Sequence, residues 1–321
     1  MHMADALISP EIGGLLWLVS GAALVRSARA VAAEPGGART PLTGVLGAFV
    51  FAVQMLNFAI PGTGSSGHLG GAMLLAVLLG PHAALLTMAS VLVVQAFFFA
   101  DGGLLALGCN IFNLGVLPVF LAYPLVYRPL AGAQGRRRGP AAFAAAVAGL
   151  ALGAVAVALE TRFSGISALP LRAFLMALVP IHLAIGLVEG AATLALLRFL
   201  AQARPELFHG PRTSWRAVTL VAVLALAAGG VLSWAASRNP DGLEWAVAKV
   251  AGTLPSAGGT VHAGLDRAQK GAALLPEYGF RDRGAAEPTR LETSLSGVVG
   301  GALTLALVAG AALLLKRRRS A

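Results

Sequence analysis

An all-α, polytopic membrane bundle of about nine spans is the fold this 321-residue sequence predicts, on three observations. Hydrophobic residues make up 57% of the chain and charged residues 12%, with a mean hydropathy of +0.78. That is more apolar side chain than a soluble core absorbs. Apolar segments recur at roughly 12–25, 42–60, 69–80, 82–100, 104–127, 140–160, 172–200, 217–237 and 295–315. The basic residues gather in the connections between segments, the pattern that orients helices in a bilayer. The net charge of +10 is therefore assigned to membrane orientation, with the lipid bilayer and not nucleic acid as the partner. The 40 glycines suit helices that approach one another closely in lipid. The one cysteine, Cys109, lies in an apolar run, excludes an internal disulfide and reads as a packing residue.

Taken in order, the first segment reads as a retained span and not a secretory signal. Asp5 and Glu11 precede it, and the first basic residue, Arg26, follows it. Basic clusters then fall at Arg26, Arg29 and Arg39; at Arg128 and Arg136 to Arg138; at Arg198, Arg204, Arg212 and Arg216; and at Lys316 to Arg319. Placing all four in the cytoplasm puts the N-terminus outside and the C-terminus inside, and the expected location is a bacterial cytoplasmic membrane. Two cytoplasmic loops are separated by an even number of crossings, so 42–127 must hold four. Residues 69–80 are the awkward member, since twelve helical residues reach only about 18 Å against a hydrocarbon core of ~30 Å. A short span is tolerable when the loop before it dips into the bundle. That loop is "IPGTGSSGH", which carries His68 below the outer surface.

The long hydrophilic loop, 238–293, falls outside, with Asp241 predicted to cap a short helix and Glu244 to close a capping box. With the Arg- and Pro/Gly-rich stretch at 198–216 as a linker, the chain divides into a seven-span unit, 1–210, and a two-span unit, 211–321.

The candidate chemistry starts at Met1-His2. The α-amine, the His2 amide nitrogen and the His2 Nδ1 close fused five- and six-membered chelate rings around one ion. Nitrogens in one plane suit Ni(II) or Cu(II) and leave a fourth position, for which His68 on the same face is the candidate. Asp5 is a candidate to orient the His2 ring, or simply a carboxylate at a helix start. His182 and Glu189 lie seven residues apart on one face of the seventh segment, for transport or for packing. Gln95, Asn57, Asn110 and Asn113 read as interhelical hydrogen-bonding groups. His82 reads as a cap or surface residue, and His209 and His262 as solvated.

Two other readings stand beside this one. "GSSG" (64–67) fits a G-x-S-G pattern, with Ser66 as the nucleophile and His182 as the base of an intramembrane serine protease. A stand-alone secondary metal transporter would need internal repeats and acids at mid-membrane, of which Glu189 is the main one available.

"MHMADALISP" (1–10), "QMLNFAIPGTGSSGHLGG" (54–71), "LLGP" (78–81), "VQAFFFADGGLLALGCNIFNLG" (94–115) and "HLAIGLVEG" (182–190) together resemble the nickel/cobalt S component of energy-coupling-factor transporters. The tail, with "PDGLEWA" (240–246), "LLPEYGF" (274–280) and a last span, is similar to that system's small two-span accessory protein, here fused. The resemblance implies a non-enzymatic, ion-binding membrane subunit with Met1, His2 and His68 as ligands, with Ser66 and Asp5 beside them. It implies Ni(II) or Co(II) as the transported substrate, with no organic cofactor. It also implies a transmembrane coupling (T) subunit and cytoplasmic ATPase subunits as partners; the chain has no P-loop lysine motif of its own. Family members often have Pro and Gly around the early acid, where this chain has Ala4 and Ala6, and the histidine loop "GTGSSGH" is slightly longer than the commoner form.

Overall fold

A computed structural model describes residues 2–33, 40–132, 135, 137–167, 169–209, 214–252, 259–281 and 287–317. Seven described helices are long and apolar enough to cross a membrane. They are α1 (Pro10–Ala33), α4 (Pro81–Phe99), α5 (Leu107–Ala131), α6 (Arg138–Ser164), α7 (Leu171–Ala203), α8 (Trp215–Gly230, continued as a 3-10 turn to Ala235) and α11 (Arg290–Arg317). Two shorter apolar helices, α2 (Thr40–Gln54) and α3 (Ala72–Leu79), account for the remaining apolar segments. Two amphipathic helices of the long loop complete the set, α9 (Gly242–Ala251) and α10 (Thr260–Ala272). The all-α, multi-pass architecture is as the sequence predicts.

The difference lies at 55–71. The apolar segment 42–60 is helical only to Gln54, and the chain then forms a small antiparallel hairpin, β1 (Phe58–Ile60) with β2 (Ser65–Gly67). Periodicity cannot tell a short apolar strand from the end of a helix. The reversal at 61–64 is set by Gly62 and Gly64, whose φ values of 75° and 76° exclude most side chains. The helix after it is therefore shorter than predicted, eight residues or about 12 Å, and the descending loop covers the rest of the depth. At Gly80–Pro81 the chain breaks and restarts, proline taking the first turn of α4 where its missing N–H costs nothing. Within α5, residues 112–116 and 118–127 wind more widely, as π-helix, around Pro118 and Pro124, neither of which donates to the helix ladder.

Small residues bring the later helices onto the bundle. A Cβ at Gly297 of α11 would strike the backbone of Gly229 in α8, and one at Gly300 would strike the Phe51 ring of α2. This is the close packing that small residues permit between helices in lipid. α8 and α11 thus seat on α2, and their outer ends fall beside the outer ends of α1, α2 and α4. Asp241 caps α9 as predicted, with Glu244 N donating to Asp241 Oδ1 at 2.8 Å and Glu244 Oε2 accepting from Asp241 N at 3.4 Å.

Candidate metal centre

Residues 2–6, which precede α1, lie over the loop that joins α4 to α5. Asn110, on α5, holds Met3 by both backbone groups: Met3 N donates to Asn110 Oδ1 at 2.8 Å, and Asn110 Nδ2 donates to Met3 O at 3.2 Å. Gly103 N also donates to Met3 O at 2.9 Å. Asp5 Oδ1 accepts from Ala106 N at 2.9 Å, so this carboxylate fastens the segment to the loop instead of orienting His2, as was expected of it. At Gly103 any side chain would occupy the position of the Asp5 carboxylate. Deeper in the bundle, Asn113 Nδ2 donates to Glu160 Oε2 at 2.8 Å and lies 3.7 Å from Met3 Sδ.

This anchoring carries the His2 ring to His68. The two ring centres are 5.0 Å apart and the planes nearly parallel, at 10°. With metal–nitrogen bonds of about 2 Å, imidazoles on adjacent corners of a coordination plane have centres roughly 4.5 Å apart, so the separation suits one shared ion. The orientation suits it less. His2 Nδ1, the chelating nitrogen of the sequence reading, is 3.1 Å from Asp101 Oδ1, while the buried Nε2 has no hydrogen-bond partner among the described residues. Chelation through Nδ1 needs the ring to turn away from Asp101. Met1 lies outside the described residues. The described residues contain no group of three or more His, Cys, Asp and Glu side chains placed to hold a metal, and the predicted ligand set asks for only two side chains, the rest being main-chain nitrogen.

The His68 loop is held from three directions. From α7, Glu189 accepts Gly70 N on Oε2 and Gly71 N on Oε1, both at 2.9 Å. From α2, Gln54 Nε2 donates to Gly70 O at 2.7 Å, and Gln95 of α4 donates to Gln54 Oε1 at 2.8 Å. From the long loop, residue 241 pairs with the hairpin as a parallel bridge. There Ser66 N donates to Pro240 O at 2.8 Å, Ser66 Oγ to Asn239 O at 2.8 Å, and Trp245 Nε1 to Thr63 O at 2.9 Å. Burial pushes the His68 imidazole down to about 3, which keeps it neutral, the form a ligand must take.

Asp101 is the residue the sequence reading missed. Burial alone would raise its carboxyl, but the neighbouring His2 ring and the hydroxyl that Tyr278 donates to its Oδ2 outweigh this and hold it well below the usual carboxylate range. Burial, with the Asp101 charge beside it, raises the Tyr278 phenol well above its usual value, so the phenol keeps the proton it donates. Gln269 of α10 donates to Gly102 O at 2.6 Å and Ala96 O at 3.0 Å, closing the same loop from above. His262, expected in solvent, is buried with Nε2 2.9 Å from Ile8 O, because α10 lies across the start of α1. Of the remaining described histidines, His182 stands beside Gly242, next to Asp241. His82 meets Ser27 Oγ at 3.2 Å; His182 is fully buried with Nδ1 on Leu178 O at 2.8 Å; the His209 side chain is outside the description. Ser66 donates to main-chain carbonyls of the 239–240 turn, and not to a histidine as a protease nucleophile would.

A cavity of about 1200 Å³ opens over His2 and His68, with Asp5, Asp101, Asp241 and Arg238 among its walls. A multi-pass helical bundle that gathers two histidines beneath an acid-lined cavity is the build of a membrane transport protein for a cation. The chain belongs to the cobalt uptake substrate-specific transmembrane region family, matched over residues 2–207, and residues 215–317 match the PDGLE domain. It is 38% identical over 209 residues to a putative metal transport protein of Haloquadratum walsbyi, covering 64% of this chain and 93% of that one. A putative fused nickel transport protein of Archaeoglobus fulgidus is 33% identical over 309 residues, covering 96% of each. The crystal structure of a truncated transition metal transporter superposes with a TM-score of 0.57 at 27% identity, covering 63% of this chain and 99% of that chain.

Proposed function

We propose that this chain is the substrate-binding subunit of an ATP-driven uptake system for Ni(II) or Co(II). The ion is captured by the amine of Met1, the main-chain nitrogen and imidazole of His2, and the imidazole of His68. The observation that carries the reading is the convergence of His2 and His68, which are distant in sequence, to ring centres 5.0 Å apart at the bottom of one cavity. On capture, the His2 ring turns so that Nδ1 meets the ion, and Asp101 is left to take a hydrogen bond from the other ring nitrogen or from the main chain. The outside face holds the site, and the ligands leave or lack protons to bind, so affinity falls in acid.

Residues 1–210 form the metal-binding unit and 211–321 the accessory unit, whose loop 238–293 lies outside. Hydrolysis of ATP falls to cytoplasmic ATPase subunits, coupled through a transmembrane T subunit. The printed names of two relatives, a putative fused nickel transport protein of Archaeoglobus fulgidus and a cobalt transport protein of Sorangium cellulosum, support Ni(II) or Co(II) as the cargo. The reading makes Nε2 or Nδ1 of His68 the fourth donor.

The test is metal content of the full chain purified with its N-terminus free, beside a form with Gly inserted before Met1 and His68→Ala. One nickel or cobalt per chain, lost in both altered forms, is expected. Metal retained at wild-type affinity after the insertion refutes the chelate.

A further inference from the structure

The cavity over His2 and His68 has a charge that the rest of the molecule does not. Among the described residues, seven acidic side chains line it against two arginines, in a protein of net charge +10. The acids fall into two tiers. Asp5, Asp101 and Asp241 are partly buried and committed to the hydrogen bonds and caps already described. Glu244, Asp266, Glu277 and Glu287 are exposed, and every one of them comes from the loop between α8 and α11; of these, Glu244 also closes the capping box and Asp266 pairs with Lys270 at 2.8 Å. At the bottom, the His2 side chain is 7% exposed, with a buried Nε2 that has no hydrogen-bond partner among the described residues.

Resting on the metal-capture reading above, we infer that the exposed carboxylates of the second unit form an electrostatic funnel that draws a hydrated divalent cation down to His2 and His68. The physical grounds are general. A cleft lined by one sign of charge with apolar walls focuses its field, and raises the local concentration of the opposite charge and the rate of association. Screening limits the reach of each exposed charge to about 8 Å at physiological salt, so the carboxylates that count are those on the walls of this cavity. A steering charge makes no lasting bond to the ion, so it acts on capture and not on release. This gives the accessory loop a task separate from its contacts to the hairpin.

The test is stopped-flow association of Ni(II) with the full chain, measured across ionic strength. The variants are Glu277→Gln/Glu287→Gln, and the charge reversal Glu277→Lys/Glu287→Lys. Neither residue belongs to the capping box or touches the two histidines. The expected result is an association rate about threefold slower for the first and about tenfold slower for the second, with a flatter dependence on salt and an unchanged dissociation rate. Unchanged association and salt dependence, in chains that bind the ion at equilibrium, overturn the funnel and leave the chelate standing. Faster dissociation overturns it too, since the carboxylates would then be holding the ion. A wild-type chain that takes up no Ni(II) at all overturns both the funnel and the chelate.

Discussion

Replacing Glu189 by glutamine should weaken Ni(II) binding although the residue touches no ligand. Its two carboxylate oxygens accept Gly70 N and Gly71 N at 2.9 Å each, two and three residues beyond His68, and the side chain is 3% exposed. Hydrogen bonds to a charged acceptor contribute about 1.5–3 kcal/mol each, and a buried N–H left without a partner costs about 1–3 kcal/mol. Glutamine keeps one carbonyl oxygen for one of the two amides and turns an NH2 toward the other. The local cost is then about 2–4 kcal/mol, which shifts the loop equilibrium by roughly 30- to 1000-fold. The apparent Kd rises by the inverse of the fraction of chains whose loop still presents His68, so the observed effect is smaller by whatever reserve the other contacts supply. Gln54 and the 239–241 turn supply some, through Gly70 O and the hairpin. A loss of at least about tenfold in affinity is the outcome we expect. The assay is competition against a chromophoric chelator on the full chain in detergent, with far-UV circular dichroism and thermal unfolding as controls. A folded Glu189→Gln chain with a Kd within threefold of wild type would refute the clamp.

Three further outcomes follow from the same contacts. Ser66→Ala combined with Trp245→Phe removes the bonds to Asn239 O and Thr63 O, at about 1 kcal/mol each, and should make the long loop severalfold more sensitive to limited proteolysis; unchanged cleavage would count against docking through these groups. Gly103→Ala sets a Cβ on the Asp5 carboxylate and main chain, neither of which can yield without undocking residues 2–6, so metal content after gel filtration should fall to background. The Asp101 carboxyl, depressed when folded, contributes stability that is present above its unfolded value of about 4 and is lost as pH falls through the lower folded one. The gap in unfolding midpoint between wild type and Asp101→Asn should therefore hold steady from pH 8 to 5 and close only below about pH 4.

Much of this was legible in the sequence, and the misses share a cause. Hydropathy is a property of long windows, so the helical spans, the early restart at Pro81 and the capping box at Asp241 could be read directly. Short windows mislead: "NFAI" reads as the end of an apolar helix, and only the two left-handed glycines after it make the chain turn into a hairpin. Nearness in sequence offers Asp5 either as a partner of His2 or as a carboxylate at a helix start, and it stands in the first turn of a short 3-10 helix; Asp101 is far from His2 in sequence. Yet Asp101 carried a signal, as an acid breaking the run "FFFADGGLLAL" at the outer end of α4, on the face that holds His2. His262 was placed in solvent because its loop is hydrophilic, whereas α10 lies across the start of α1 and buries it. The rule that emerges is physical. Composition decides what enters the bilayer, but the polar groups that shape the centre are paired between parts of the chain far apart in sequence, Tyr278 with Asp101, Asn239 with Ser66 and Glu189 with Gly70, and such pairs are set by where helix ends meet. A polar side chain that interrupts an apolar run near a helix end is thus better evidence for the centre than an acid adjacent to the ligand in sequence. By that criterion Gln54, which ends α2 and holds Gly70 O, belongs with Asp101 among the residues to alter first.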